Sequence, residues 1–458
     1  MTKARLLLAL LVTCAPFAVA GAATPSAERR YQELAERIEA LETESQKLRE
    51  QAAEALAAAQ AAKAELEQLK AAQQESAVAV AAAQQEAAVA AVAAPQAPAA
   101  ASSGNAFNPA ISVILNGTYA HHSLDPDDYV RAGFPLVGEG RPGEQGFSLG
   151  ESEIALSANI DDKFYGQLVA SLEDEDGETR VNIEEAYIDT SALPQGFSLR
   201  AGRFFSNVGY LNSHHAHTDS FTDRPLAYQA FLGNQYGDDG MQLRYVPALD
   251  FFLEFSGELL RGDEFPSGGA THSGVGARTF AVHAGGDVGV ESSWLAGFSV
   301  LDTDVEHGAD GFEGSGRLYL ADLTWKWAPN GNTKDGGVTL RGEYIHEDRD
   351  GRFLDPADPG LAQPWDGTRS GAYLEGVYRI DRRWDAGYRY DRLWADDSGP
   401  YASDFDPRRH TVELTWRNSE FALVRLQLSH DEPRQDRDDD AVYLQYQMNF
   451  GAHGAHKF

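Results

Sequence analysis

Cysteine occurs once in the 458 residues, at Cys14, which excludes disulfide frameworks, cysteine-based zinc sites, CxxC redox chemistry and iron–sulfur clusters. Basic residues are also scarce: 38 Lys and Arg stand against 70 Asp and Glu, a formal charge of -32. So acidic a chain is not a nucleic-acid binder, because phosphate neutralisation needs clustered Lys and Arg. Beyond the first twenty residues no run of 18 apolar residues occurs, so helical membrane spans are not expected. Aromatics and glycine are missing from one region in particular. Of 7 Trp, 18 Tyr and 22 Phe, only Phe17, Tyr31 and Phe107 fall within the first 107 residues, and of 44 glycines only Gly21 and Gly104 do. Two physically different segments are therefore joined.

The first segment is built for export and association. Lys3 and Arg5 precede an apolar stretch from Leu6 to about Ala20, ended by the small-x-small site Ala18-Val19-Ala20. That pattern predicts a signal peptide over 1–20, and Thr13 before Cys14 departs from the small residue expected of a lipoprotein signal. Over 26–75 the positions Leu34, Ile38, Leu41, Ser45, Leu48, Ala52, Ala55, Ala59, Ala62, Leu66 and Leu69 alternate three and four apart without a slip. A seam of that regularity predicts a left-handed multi-helix coiled coil, whereas a solvated single helix would gain nothing from it. Residues 76–105 are rich in Ala, Val and Gln with Pro95 and Pro98, which reads as a linker.

Residues 106–458 carry a different period. Segments of about ten residues alternate apolar and polar side chains, as in Val412, Leu414 and Trp416 against Thr411, Glu413, Thr415 and Arg417. Val442, Leu444, Tyr446, Met448 and Phe450 alternate likewise with Tyr443, Gln445, Gln447 and Asn449. About sixteen such segments are present, and tight turns near Asp161-Asp162, Pro247-Ala248, Pro329-Asn330, Asp381-Arg382 and Asn418-Ser419 are separated by longer acidic, Gly-rich stretches. The fold class predicted is an all-β transmembrane antiparallel barrel of about 16 strands, preceded by the N-terminal α-helical coiled coil. Trp325, Trp327, Tyr388, Tyr390 and Trp394 are placed near strand ends, where aromatic rings favour the membrane interface.

A barrel of that size encloses an aqueous lumen. The residues assigned to the inner wall are Arg200, Arg244, Arg341, Glu343, Glu375, Arg379, Asp385, Arg389, Asp391, Glu413, Arg417 and Arg425. Both signs are represented, so the pore carries a transverse field that suits small hydrophilic solutes, although any one of these residues also reads as half of an interstrand ion pair. Acids such as Asp125, Asp127, Asp128, Asp436, Asp438, Asp439 and Asp440 fall in outer stretches and concentrate cations at the mouth, or bind divalent ions that bridge lipopolysaccharide. The longest connection, about 207–236, contains Phe221, Leu226, Tyr228, Phe231 and Leu232, apolar side chains that call for burial, so it is expected to fold into the lumen. It also carries His214, His215, His217 and Asp219, donors suited to zinc, of which His215, His217 and Asp219 share a side if the stretch is extended. No cofactor is required, and zinc is at most loosely bound.

The stretches GRFFSNVGYLNSHHAH at 202–217 and DRPLAYQAFLG at 223–233, with the terminal GAHGAHKF, resemble a proteobacterial zinc-regulated outer-membrane family within the phosphate-selective porin O and P type of barrel. The resemblance implies an outer-membrane channel linked to zinc supply. It does not carry phosphate selectivity, because the Lys-rich interior such a pore needs is replaced by mixed charge.

These readings converge on a porin-like channel of the Gram-negative outer membrane, with the coil in the periplasm and the barrel in contact with lipid and lipopolysaccharide. Self-association through the coil, as a trimer, is expected. The competing reading is an anchor whose coil tethers the membrane to the cell wall. An enzyme is not expected, since no GxSxG elbow, no HExxH and no paired nucleophile and base are read in the chain. A TonB-dependent transporter would need about 22 strands and a folded plug.

Overall fold

The computed structural model describes residues 109–451 apart from 176–177, 191–192, 270–273, 355–361, 397–398 and 402. The signal peptide, coiled coil and linker, and the tail with His453 and His456, lie outside the described residues. The strands are β1 (Ala110–His122), β2 (Gly146–Ser148), β3 (Ser152–Asn159), β4 (Phe164–Glu175), β5 (Glu178–Thr190), β6 (Phe197–Phe205), β7 (Gly237–Tyr245), β8 (Phe252–Leu260) and β9 (Ala277–Val288). They continue with β10 (Ser292–Val305), β11 (Phe312–Trp327), β12 (Gly337–Leu354), β13 (Ala362–Arg379), β14 (Trp384–Ala395), β15 (Arg408–Ser419), β16 (Ala422–Arg434) and β17 (Arg437–Gly451).

Apart from β2 and β3, which both pair with β1, successive strands pair antiparallel with one another, and β1 pairs with β17 from Ser112↔Gly451 to His122↔Ala441, which closes the sheet. Short β2 and longer β3 both pair with β1 and make one interrupted stave, so the 17 strands form a barrel of sixteen staves. Closure removes the unpaired edges that an open sheet would present.

Burial is inverted relative to a water-soluble sheet. Val412, Leu414, Val442, Leu444, Tyr446 and Met448 are exposed, while Thr411, Glu413, Thr415, Gln445 and Gln447 are buried. Polar side chains point into the cylinder and apolar ones face outward, as a barrel in lipid requires. Trp325 and Trp327 close β11 and the exposed Trp384 opens β14, 6.5 Å from Trp416. Tyr388 and Tyr390 are not terminal, however. They sit mid-strand on β14, where the Tyr388 hydroxyl meets His410 Nδ1 at 2.7 Å.

The tight turns are specified locally. In Ile160-Asp-Asp-Lys-Phe164 the Asp161 carboxylate accepts the amides of Lys163 and Phe164 at 2.7 and 2.9 Å. In Ile380-Asp-Arg-Arg-Trp384 the Asp381 carboxylate accepts those of Arg383 and Trp384 at 2.7 and 3.0 Å. The same side-chain-capped turn thus recurs at one end of the barrel. At the other end the connections are not uniformly long. Only residues 176–177 separate β4 from β5, and only Gln435 and Asp436 separate β16 from β17, with Asp436 in the left-handed region at φ 59°. Length there is taken up by the strands: β12 and β13 each run for 18 residues, far more than a tilted membrane crossing needs.

Candidate functional site: an infolded loop and two polar vestibules

The connection between β6 and β7 turns into the lumen. Its apolar side chains are removed from solvent: Phe221, Leu226, Tyr228, Phe231 and Leu232 are all buried, most of them on helix α1 (Leu226–Phe231). The fit of α1 to the wall depends on Gly371 of β13, where a Cβ would lie 2.9 Å from Phe231 and 3.1 Å from Ala227. Phe134 of the first connection packs edge-on against Phe231 at 5.7 Å and covers α1 from the loop side.

Polar wall residues fix the loop from both sides. Near its start, the Asn207 amide donates to Glu258 on β8 at 2.9 Å. Near its middle, the Thr222 amide donates to Gln427 on β16 at 2.8 Å. Those strands lie eight staves apart in the ring of sixteen, so the loop crosses the lumen from one wall to the opposite one. Between these ends Glu343 on β12 accepts the amides of Tyr210 and Leu211 at 2.8 and 3.1 Å and the hydroxyls of Tyr228 and Tyr373 at 2.8 and 2.6 Å. Asp391 accepts the Leu226 amide at 2.9 Å. Asp223 is held by Arg389, Arg409 and Gln427.

Most of the other wall residues named from sequence pair between strands, while Glu413 is bonded within its own strand and Arg425 also reaches the loop. Arg200 bonds Asp189 through Nε and Nη2 at 3.1 and 2.8 Å, and half-buried Arg244 approaches the same carboxylate at 3.6 Å. Arg341 meets Glu375 at 2.7 Å and lies over the Tyr210 ring. Arg379 and Arg417 share Asp385 at 3.0 and 2.8 Å. Arg425 reaches Thr415, Gln445 and the carbonyl of Asp219 at 3.1, 2.8 and 2.9 Å, and Glu413 accepts from Thr415.

Two cavities lie on either side of the infolded loop. One, of about 240 Å³, borders the outer connections and is lined by His122, Glu139, Arg141, Asp431 and Asp439. The other, of about 810 Å³, opens toward the tight turns and is lined by Lys326, Arg341, Arg379, Arg417 and Arg425 from β11 to β16, and by Glu153 and Glu185 from β3 and β5. Asp219 borders both cavities. The larger one therefore has a basic wall facing an acidic one.

The histidine tract does not run extended. Short turns of 3-10 helix at Leu211–Ser213 and Ala216–Thr218 divide it, and two of the four candidate ligands, His214 and Asp219, turn away from the others. His214 stacks on Tyr210 at 4.5 Å with Nδ1 toward the Tyr210 carbonyl, and Asp219 turns to Arg224 at 2.7 Å. His215 and His217 remain together, their rings 5.6 Å apart, and both face Glu153. Burial by itself would lower the His215 imidazole, but hydrogen bonds to Glu184 and Glu185 and the charge of Glu153 carry it well above the ordinary histidine range. Elsewhere His122 is buried against Asp439 at 2.8 Å.

The acidic partners Glu153, Glu184 and Glu185 were not singled out by sequence reasoning. Adjacent glutamates on a strand should point to opposite faces, yet β5 slips register here: Ile183 pairs with Ala170 and Glu185 with Val169, leaving Glu184 as the extra residue of a bulge. Both carboxylates then turn inward, with side chains 9% and 7% exposed. The Glu184-Glu185 doublet, which breaks the alternation of β5, was the available signal. Contrary to the expectation from sequence, Gly146-Phe-Ser-Leu-Gly150 does spell G-x-S-x-G, but it starts on β2 and leads on to β3 rather than joining a strand to a helix, as a nucleophile elbow requires.

Comparison with known proteins fits this architecture. No family model matches the chain. An uncharacterised protein of Aquifex aeolicus (strain VF5) is 28% identical over 392 residues, covering 78% of this chain and 81% of its own. A loop L8 deletion mutant of OmpT, an outer membrane protein of Vibrio cholerae, superposes with a TM-score of 0.50 at 12% identity over 76% of this chain and 100% of its own. The barrel has the fold of outer-membrane porins. An anion-selective porin from Comamonas acidovorans matches at TM-score 0.50 and 11% identity, over 75% of this chain and 99% of its own. OmpF of Salmonella typhi matches at 0.50 and 12%, over 75% and 97%. These likenesses are of fold, and they do not reach the narrower zinc-regulated family that the loop motifs resemble.

Proposed function

We propose that the protein is a porin-like channel of the outer membrane for small hydrophilic solutes and cations, with a link to zinc supply. One observation carries this reading: a loop bonded to opposite walls narrows the lumen of a sixteen-stave barrel and leaves a polar vestibule on each side. A basic wall facing an acidic one across the larger vestibule sets up a transverse field, which orders water and disfavours apolar solutes. Exposed acids at the loop end, including Asp125, Asp127, Asp128, Asp436, Asp438 and Asp440, favour cations at the mouth. The fold likeness to porins supports the same reading. The heptad seam at 34–69 supports self-association, for which a trimer is the proposed state although the Ala-rich seam does not itself set the number of strands.

Single-channel recording in planar bilayers tests the proposal. The expected result is stepwise ohmic conductance with a reversal potential on the cation side in a salt gradient. A barrel that inserts and passes no current would sink the channel and favour the anchor, in which the coil tethers the membrane to the cell wall. Deleting 26–75 should leave conductance intact in a channel and abolish cell-wall association in an anchor.

A further inference from the structure

Glu153, His215 and His217 each bring one ligand atom within 4.8 Å of the others, and Glu153 and Glu184 are close in the same sense. His217 Nδ1 lies 2.7 Å from Glu153, and His215 Nδ1 lies 3.2 Å from both Glu153 and Glu184. We propose that these four side chains form a binding site for a divalent transition cation of the zinc class, which fastens the infolded loop to β3 and β5. Two imidazoles with two carboxylates suit such an ion in tetrahedral geometry, whereas calcium and magnesium select all-oxygen sets.

The geometry needs little adjustment. Ligand atoms about 2.0–2.2 Å from a tetrahedral ion stand roughly 3.3–3.6 Å apart, so the His217–Glu153 contact of 2.7 Å must open by roughly 0.6–0.9 Å, within reach of a side-chain rotation, while the His215 contacts at 3.2 Å are already close. The outer partner is also in place: His215 Nε2 faces Glu185 at 3.1 Å, and Glu185 in turn accepts from Gln167 at 3.0 Å. A carboxylate on the far nitrogen is what orients a metal-bound imidazole and raises its basicity. The bulge that leaves Glu184 unpaired is what lets Glu184 bind the ion while Glu185 supports the histidine. Entry is from the larger cavity, which Glu153, His215 and His217 line.

This inference deepens the zinc link of the channel reading, but binding itself does not depend on conduction. Its functional consequence is that an ion on the acidic wall weakens the transverse field, so zinc should shift the reversal potential away from cations.

Calorimetric titration of the detergent-solubilised full-length protein with zinc chloride tests it, with cobalt(II) as a spectroscopic probe. The expected result is one tight site per chain and the intense visible bands of tetrahedral cobalt. The double variant His215→Ala/His217→Ala should lose that site, and Glu184→Gln, which keeps side-chain size, should weaken it. Glu185→Gln should weaken it about 10–100-fold, as loss of an outer partner does. His214→Ala, and removal of His453 and His456, should leave it unchanged. Wild-type affinity in the double variant, or a six-coordinate cobalt spectrum, would overturn the proposal. Metal binding with no conductance would count against the channel and leave the site standing.

Discussion

Arg389 on β14 grips Asp223 of the infolded loop twice, donating from Nη1 to its carbonyl at 2.8 Å and from Nη2 to its carboxylate at 2.9 Å. Arg409 adds a third contact at 2.8 Å and Gln427 a fourth at 2.7 Å. Asp391 also pairs with Arg389 at 3.0 Å and approaches Arg409 at 3.8 Å, so two carboxylates balance these two buried guanidinium groups and loss of either leaves one positive charge in excess. Asp223→Asn should destabilise the docked loop by about 3–5 kcal/mol, because it strands buried charge. The expected signs are larger, noisier single-channel currents and faster hydrogen exchange at the Thr222 and Leu226 amides. Unaltered currents and exchange would show that the loop is held elsewhere.

The same carboxylate predicts a pH response. Burial pushes the Asp223 carboxyl up, but Arg409 and Arg389 outweigh it and bring it down to about 2. A carboxylate depressed below its unfolded value, about 3.9, stabilises the fold fully above that value and loses its contribution as pH falls through its folded one. The loop should thus stay docked from neutral pH to about 4 and loosen between about 4 and 2. Conductance histograms recorded across that window should broaden in the wild type. In Asp223→Asn they should already be broad at pH 7 and change less on acidification.

Gly371 provides a steric test. A Cβ there would lie 2.6 Å from Leu393 and 2.9 Å from Phe231, both fully buried. Gly371→Ala should push α1 from the wall and cost about 1–3 kcal/mol, the usual range for overpacking. Gly257→Ala is the control, since its nearest neighbour is 3.7 Å away. Thermal unfolding in detergent should separate the two variants. Equal midpoints would mean that α1 does not rest on the wall as tightly as these distances require.

The barrel was legible in sequence because its rule is local. Period-2 alternation at 408–418 and 440–450 and the two Ile-Asp turns each state their structure within a dozen residues. The inward fold of the long connection was legible too, since Phe221 and Leu226–Leu232 have no other apolar place to go. Loop lengths were less legible: β16 and β17 run past the membrane to a two-residue turn, and no hydrophobic pattern marks where lipid ends. The ligand cluster was half legible. His215 and His217 are conspicuous, but Glu153 is 64 residues from His217 and meets it only once the cylinder closes. Glu184 is aimed inward by a slip of register, which alternation alone assigns to the wrong face.

The outward face supplies the last test, because lipid and water impose opposite costs on the same substitution. Leu374 is 63% exposed on β13, five residues before the strand ends at the turn side, and its register partners are Gly342 and Tyr390. At the rise and tilt of a membrane strand that places it roughly 12 Å from the turn, near the middle of the apolar band. Phe147 is 90% exposed on short β2, at the loop end of the barrel beside Tyr119. Leu374→Arg should destabilise the protein in phospholipid vesicles by about 2–4 kcal/mol, whereas Phe147→Arg should cost about 0–1, as expected near the interface. In a water-soluble barrel an arginine at either exposed position would be nearly neutral. Denaturant titrations of vesicle-reconstituted protein should therefore show a strong penalty at Leu374 alone, and a negligible penalty there would contradict its placement against lipid.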